Sequence, residues 1–261
     1  MSHPPRLCAA VSTSSSVWSA WVGAAWDDPR AGMAQIDGPR GRPRNLLAAL
    51  DRLLADRGAT LADVGRFALD VGPGSFTGLR SGMAAVRALA WALDVPVCAV
   101  PAWHAMARAA NPPRQVGVLC AIRARTAVWY LARWPDVAPC TVAVDHLSQW
   151  LGATARPGDV VAGTAWSDPH LVAAGAEVGV AVEFAAGDCD AARIAAVALL
   201  GPGADWAGAL QAQPCYVAAS EAENRLDARA HDPPPKKGPE SLAIELTQVS
   251  RGNRRKPAPS G

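Results

Sequence analysis

The chain has 261 residues, of which 50% are hydrophobic and 6% aromatic, and its formal net charge is +2. That length suits one large domain or two small ones with a sizeable core, and so small a net charge gives no general electrostatic case for nucleic acid. The six cysteines (Cys8, Cys98, Cys120, Cys140, Cys189, Cys215) form no C-x-x-C pair, which argues against a disulfide framework or a cysteine metal site. No leader and no long uncharged apolar span is present, so the chain reads as soluble and cytoplasmic, with no membrane association. Lysine occurs only at Lys236, Lys237 and Lys256.

Residues 6–11 are a short apolar run, Ser12 to Ser16 a polar turn, residues 17–22 a second strand and 31–36 a third. Strands joined by such short turns read as an antiparallel meander. The alternating elements that follow make the sheet mixed. Between residues 44 and 57, Leu46, Leu47, Leu50, Leu53 and Leu54 fall on one face of a helix. Gly58 stops that helix, and Thr60-Leu61-Ala62-Asp63 has capping-box spacing. A strand over 66–71 then runs into Gly72-Pro73-Gly74-Ser75-Phe76-Thr77-Gly78-Leu79-Arg80, and a helix continues to about Leu93. Ser75 or Thr77 can cap it. A strand, a glycine turn and a helix N-terminus together receive either a phosphate or another stretch of backbone.

The helix repeats Leu79, Met83, Val86, Ala90 and Leu93 at helical steps, with Gly78, Gly82, Ala85 and Leu89 beside them. The second, small-residue stripe permits close approach of another helix, or lies in this chain's own core. A strand over 94–100 follows, then a helix opened by Pro101. Strands over 115–122 and 126–133 form a hairpin, followed by a helix at 145–151, a strand at 159–163 and a helix at 190–200 capped by Asp188 or Asp190. Beyond Ala218 the proline-rich 232–239 stretch reads as an extended linker. Residues 241–249 have a weak apolar pattern, and Arg251, Arg254, Arg255 and Lys256 make a basic end.

The GPGSFTGLRSG stretch at residues 72–82, its small-residue helix and Asp94-Val95-Pro96-Val97 resemble the TsaB (YeaZ) family of the actin-like/Hsp70 ATPase superfamily. The resemblance covers roughly residues 6–217 and is densest from Leu46 to Pro101. It implies an α/β fold with two actin-like (ribonuclease H-like) lobes built on mixed sheets, the second reduced, and a disordered C-terminal tail. The expected boundaries are 1–105, 106–217 and 218–261. It also implies a non-catalytic subunit, a pseudo-enzyme, that binds and activates TsaD for threonylcarbamoyl transfer to the adenosine beside the anticodon of ANN-decoding tRNAs. TsaE supports turnover, tRNA is met through the complex, and homodimer or monomer in isolation stays open. The chain would carry no cofactor of its own, with ATP and metal on TsaD.

Partner contact is expected at Leu46, Leu50, Leu53, Gly78, Gly82, Ala85 and Leu89. The turn Gly72, Pro73, Gly74, Ser75, Phe76, Thr77, Gly78 and Arg80 is expected to be structural or close to nucleotide. The chain departs from the family pattern at Ser12, where an aspartate is usual, and at Arg123 and Val128, where the hairpin usually carries acids. Arg42-Pro43-Arg44-Asn45 likewise replaces a usual histidine-serine-glutamate. Missing acids weaken the case for Mg²⁺ and phosphate chemistry, and nothing nominates a nucleophile or a metal cluster. Two other readings stay open: an autonomous nucleotide-dependent enzyme of the actin-like or sugar kinase fold, and a dinucleotide-binding enzyme. The glycine spacing misses the dinucleotide pattern by one residue.

Overall fold

A computed structural model of the chain describes residues 6–36, 45–110, 116–180, 184–201 and 205–217. Arg42 to Arg44, the proline-rich linker, the 241–249 segment and the basic end lie outside the described residues. So does everything else expected of the 218–261 tail.

Strands β1 (Leu7–Ser12), β2 (Trp18–Gly23) and β3 (Gly32–Ile36) form the antiparallel meander read from the sequence. Helix α1 (Leu46–Ala55) leads to β4 (Val64–Asp70), which lies parallel beside β1. Helix α2 (Phe76–Leu93) leads to β5 (Val97–Val100), parallel beside β4, and α3 (Ala102–Ala110) follows. The same order then repeats: β6 (Val118–Arg125), β7 (Val128–Trp134), β8 (Val137–Ala143), α4 (Leu147–Thr154), β9 (Val160–Ala162), α5 (Pro169–Glu177), β10 (Phe184–Ala186) and α6 (Ala191–Leu200). A short β11 (Trp206–Ala207) closes the first sheet against β5. The sheets run β11-β5-β4-β1-β2-β3 and β10-β9-β6-β7-β8. Without β11 their topologies are identical, so each lobe is one copy of a β-β-β-α-β-α-β-α plan, the second with a longer meander but shorter parallel strands β9 and β10.

Local chemistry sets the ends of these elements. Asn45 caps α1, its side-chain oxygen accepting from the Ala48 amide at 3.0 Å. Gly58 turns the chain at φ +66°, and the Asp63 carboxylate accepts from the Thr60 amide at 2.8 Å in the capping box the sequence indicated. Asp190 rather than Asp188 caps α6, accepting from the Arg193 amide at 2.8 Å. Strand β8 and helix α5, like the short β10 and β11, had no clear sequence signal. Strand β8 contains Pro139, which a strand tolerates because β8 is the edge of its sheet. Helix α5 begins at Asp168-Pro169, which reads as a turn in sequence but is an N-cap followed by a first-turn proline.

The burial pattern stacks five layers. One face of the first sheet packs on α1 and α2 through Val11, Phe67, Leu69, Leu50, Leu54, Met83 and Val86. Its other face meets α3 and α6 through Cys8, Ala10, Ala68 and Cys98, and the second sheet covers those helices from beyond with Val118, Cys120 and Ala162. Helices α4 and α5 cover the outer face of the second sheet around Trp129 and Trp166. Alanines at 102, 105, 191, 195 and 198 let α3 and α6 sit together in the middle layer. The buried thiols act as small hydrophobes; burial raises Cys8 and Cys120 to about 12.

One ion pair sits inside the second lobe. Asp159 accepts from Arg133 Nε at 2.6 Å and Nη2 at 2.8 Å, and from the amides of Gly117 and Arg156, both at 3.0 Å. The two side chains are 3% and 2% exposed. Burial alone pushes the Asp159 carboxyl up, but Arg133 and the donated amides hold it below its ordinary value. Asp159→Ala leaves the buried Arg133 guanidinium with only the more exposed Asp136 as an ionic partner, and is expected to cost about 3 kcal/mol, lowering Tm by roughly 10 °C. Because the folded pKa lies below the unfolded one, this stability is present above about pH 4 and lost as pH falls through the folded pKa. Thermal melts across acid pH should therefore show a flatter dependence in the variant.

Candidate functional site

The glycine turn after β4 does not stand open. Its glycines are the places where α2 and the turn come against the β1–β2 turn. A Cβ on Gly74 would overlap the Ser14 carbonyl oxygen, one on Gly78 the Thr13 carbonyl oxygen, and one on Gly82 the Thr13 hydroxyl. The Ser75 amide donates to the Ser14 carbonyl at 2.7 Å, and Ser75 Oγ caps α2 by accepting from the Gly78 amide at 3.2 Å. Behind the turn, Gly72 sits at φ +92°, its carbonyl accepting from the Ala102 amide at 2.7 Å. Cys215 donates to the Val71 carbonyl at 2.7 Å. Of the two occupants such a turn can receive, the chain's own backbone is the one present.

Asp70 holds these turns in register. It is completely buried at the end of β4. One oxygen accepts from the Ser12 hydroxyl at 2.8 Å and the Ser14 amide at 3.2 Å, and the other from the Gly72 amide at 2.8 Å. Burial raises its carboxyl above the ordinary value despite these donors. Ser12 therefore stands where its hydroxyl serves a neighbouring carboxylate. The Cys189 thiol, 3.7 Å from Ser12 Oγ, is pushed well above its ordinary value by burial first and then by the Asp70 charge. A thiol held neutral in this way is a poor nucleophile.

A cleft of about 760 Å³ lies between the lobes, lined by Ser14–Ser16 and Ser75–Thr77 on one side and residues 122–126, Thr164, Ala165 and Ser167 on the other, with Asp188 and Cys189. Sequence reasoning found no acid here, and the tertiary structure brings two. Arg123 pairs with Asp168, the α5 cap, which also accepts from the His170 amide at 3.0 Å. Asp188 accepts from the Thr164 amide at 2.8 Å and hydroxyl at 2.7 Å. Asp70 had a legible signal, a lone carboxylate closing an apolar parallel strand two residues before glycine. Asp168 and Asp188 had none, because folding alone brings them to Arg123 and Thr164. Among the described residues no group of three His, Cys, Asp or Glu is placed to hold a metal.

The expected partner residues need correcting. Leu46, Leu50 and Leu53 are buried in the first core, and Ala85 and Leu89 pack against it. Gly78 and Gly82 face Thr13. The first stripe of α2 and the Gly78–Gly82 part of the second thus serve the chain's own interior, where Thr13 sits against the two glycines, while Ala85 and Leu89 are half-buried beside the core. The solvent-facing line of α2 is instead Thr77, Ser81, Ala84, Ala88 and Trp91, with Arg80 beside it. Trp91 is 73% exposed, and Leu47 on α1 is 53% exposed. Of the turn residues, Ser75, Phe76 and Thr77 line the cleft, Arg80 lies over the Phe76 ring, and Gly72, Pro73 and Gly78 are buried.

Duplicated lobes, helices between two mixed sheets, and an interlobe cleft beside a closed glycine turn define a two-lobed actin-like protein. The family model described as TsaD, tRNA N6-adenosine threonylcarbamoyltransferase, matches residues 40–187. The chain belongs to this family, on its TsaB/YeaZ side. The tRNA threonylcarbamoyladenosine biosynthesis protein TsaB of Haemophilus influenzae is 39% identical over 87 residues, 33% of this chain and 37% of that protein. Its namesake in Escherichia coli is 33% identical over 97 residues, 37% of this chain and 42% of that protein. The matched stretch thus spans less than half the length of these relatives. A Pseudomonas aeruginosa structure described as similar to peptidase YEAZ superposes with a TM-score of 0.62 at 25% identity, covering 81% of this chain and 99% of that one. YeaZ from the same organism gives 0.59 at 24% identity over 80% and 99%, a likeness of fold.

Two sets of variants test the turn packing. Gly82→Ala is expected to lose roughly 1–3 kcal/mol to overpacking, despite a helix-propensity gain of about 1 kcal/mol. The obstacle is the Thr13 hydroxyl, which is buried and meets no partner, so adding Thr13→Ala should restore most of the loss. Gly78→Ala meets backbone and should not be rescued; urea unfolding of these variants separates the cases. Ser12→Asp sets a second carboxylate against Asp70 and raises the folded pKa of the pair. Its stability should be present at low pH and lost as pH rises through that folded value, giving a higher Tm at acid than at alkaline pH.

Proposed function

We propose that this chain is a non-catalytic scaffold subunit in tRNA threonylcarbamoyladenosine biosynthesis, acting in the cytoplasm. It binds and activates TsaD for threonylcarbamoyl transfer to the adenosine beside the anticodon of ANN-decoding tRNAs, with TsaE supporting turnover. It carries no cofactor of its own; ATP and metal belong to TsaD. The names of the curated relatives support the pathway. The observation that supports the scaffold role is the glycine turn packed against the Thr13–Ser14 backbone, so that Gly74 and Gly78 receive the chain's own first turn. Asp70, completely buried and held by three donors, is not presented to a substrate.

The surface offered to TsaD is the outer line of α2, where small Ala84 and Ala88 lead to Trp91, with Leu47 of α1 exposed as well. Small residues allow close helix approach, and an exposed tryptophan is the side chain most often found as an interface anchor. Trp91→Ala and Leu47→Asp should each leave the melting curve of the chain unchanged, because both positions face solvent. In titration calorimetry against the TsaD of the same organism, Trp91→Ala should weaken binding by about 2 kcal/mol, roughly thirtyfold. Unchanged affinity in both variants would move the interface off this face. The chain alone should hydrolyse no ATP above background; turnover that co-purifies with it would sink the scaffold reading.

A further inference from the structure

We propose that the mouth of the interlobe cleft is a contact surface for single-stranded RNA, with Arg80 and Arg125 meeting phosphates and the Phe76–Tyr216 pair receiving a base. The choice of RNA over other polyanions rests on the reading of the chain as part of a tRNA-modifying assembly. The surface itself follows from charge and ring geometry.

The net charge of +2 conceals a local segregation. Helix α2 carries Arg80 and Arg87 and no acid, and β6, β7 and their turn carry Arg123, Arg125 and Arg133 and no acid. Three of these arginines are engaged within the fold. Arg133 is sunk against Asp159, Arg123 pairs with Asp168, and Arg87 donates to the Leu210 carbonyl at 3.1 Å. Arg80 and Arg125 are exposed, and neither enters an ion pair among the described residues. The two carboxylates at the cleft, Asp168 and Asp188, are turned to Arg123, the His170 amide and Thr164. Asp168 is neutralised by Arg123, while Asp188 keeps its charge among neutral donors, so the two arginines outnumber the one unpaired carboxylate at the cleft.

Rings stand beside that charge. The Arg80 guanidinium lies 4.0 Å above the centre of Phe76, itself part of the cleft wall. Phe76 and Tyr216 have ring centres 5.3 Å apart at a tilt of 37°, and Tyr216 is 47% exposed, so ring surface remains open. Arginine next to open aromatic surface is the combination with which proteins hold unpaired bases and the backbone between them. Hydroxyls of Ser14–Ser16, Ser75, Thr77 and Thr126 line the same cleft and supply neutral partners for phosphate and ribose oxygens.

Fluorescence anisotropy of a short labelled single-stranded RNA with the full chain, across a salt series, tests the surface. Arg80→Ala with Arg125→Ala should weaken binding about tenfold at low salt. It should also make the salt slope shallower by roughly 1.4, two phosphate contacts at about 0.7 each. Tyr216→Ala should weaken binding about tenfold with the slope unchanged, as loss of stacking predicts. Arg125→Glu, at a hairpin end away from the cores, should weaken it further than Arg125→Ala, while Arg108→Ala on α3 changes nothing. Melting curves establish that each variant is folded, and the basic end of the chain is common to all, so it cannot produce the differences. No binding by the unaltered chain overturns the proposal. So does an unchanged affinity and slope in the double variant, or competition by polyglutamate equal to that of unlabelled RNA. The assay contains no TsaD, so it can succeed where the scaffold reading fails, and fail where that reading succeeds.

Discussion

The structure depends on one close approach, that of the β1–β2 turn to the glycine-bearing turn and first helical turns of α2. Backbone at Ser14 and Thr13 lies where side chains at 74 and 78 would otherwise be, and the Thr13 side chain lies where one at 82 would be. Glycine at 74 and 78 permits the approach, and the contact fixes how α2 crosses the sheet. Once α2 is fixed, Leu79, Met83, Val86 and Ala90 point into the core and Thr77, Ala84, Ala88 and Trp91 point out. The surface available to a partner is thus chosen by a packing event on the opposite side of the helix.

Two buried carboxylates show how different surroundings give the same side chain opposite behaviour. Asp159 shares its site with Arg133, and its carboxyl is held below the ordinary range. Asp70 has hydroxyl and amide donors but no cation in its hydrogen-bonding shell, and its carboxyl is raised. The first joins strands of the second lobe through opposite charges. The second joins two turns of the first lobe through directional donors, for which the Ser12 hydroxyl is suited and a further carboxylate is not. The serine at position 12 fits a structural pin better than a phosphate site.

Duplication explains the middle of the molecule. Each lobe ends its plan with a helix, and the two are exchanged: α6 covers the inner face of the first sheet and α3 that of the second, and these two helices pack against each other. Their alanine-rich faces allow two sheets to share one layer of helices. The cleft opens beside this layer, so residues far apart in sequence, such as Thr77, Arg125 and Asp188, line one space.

The sequence by itself determined the element types where periodicity or end signals were strong: the meander, the leucine face of α1, the stripe of α2 and the glycine turn. Those signals are local, and local propensity and apolar spacing carry them. It also determined the family, through a turn whose glycines have no substitute. Strand β8, with a proline on a sheet edge, and helix α5, opened by Asp168-Pro169, were hidden because their signals also describe loops. Whether the small-residue stripe of α2 met another helix or the chain's own core was open in sequence, since small residues fit a foreign helix and the chain's own turn equally well. The tertiary structure decided it for Gly78 and Gly82, by placing Thr13 against both. The pairing of Asp70 with Ser12, of Arg123 with Asp168 and of Arg133 with Asp159 was likewise decided there, because each joins residues that spacing along the chain does not relate.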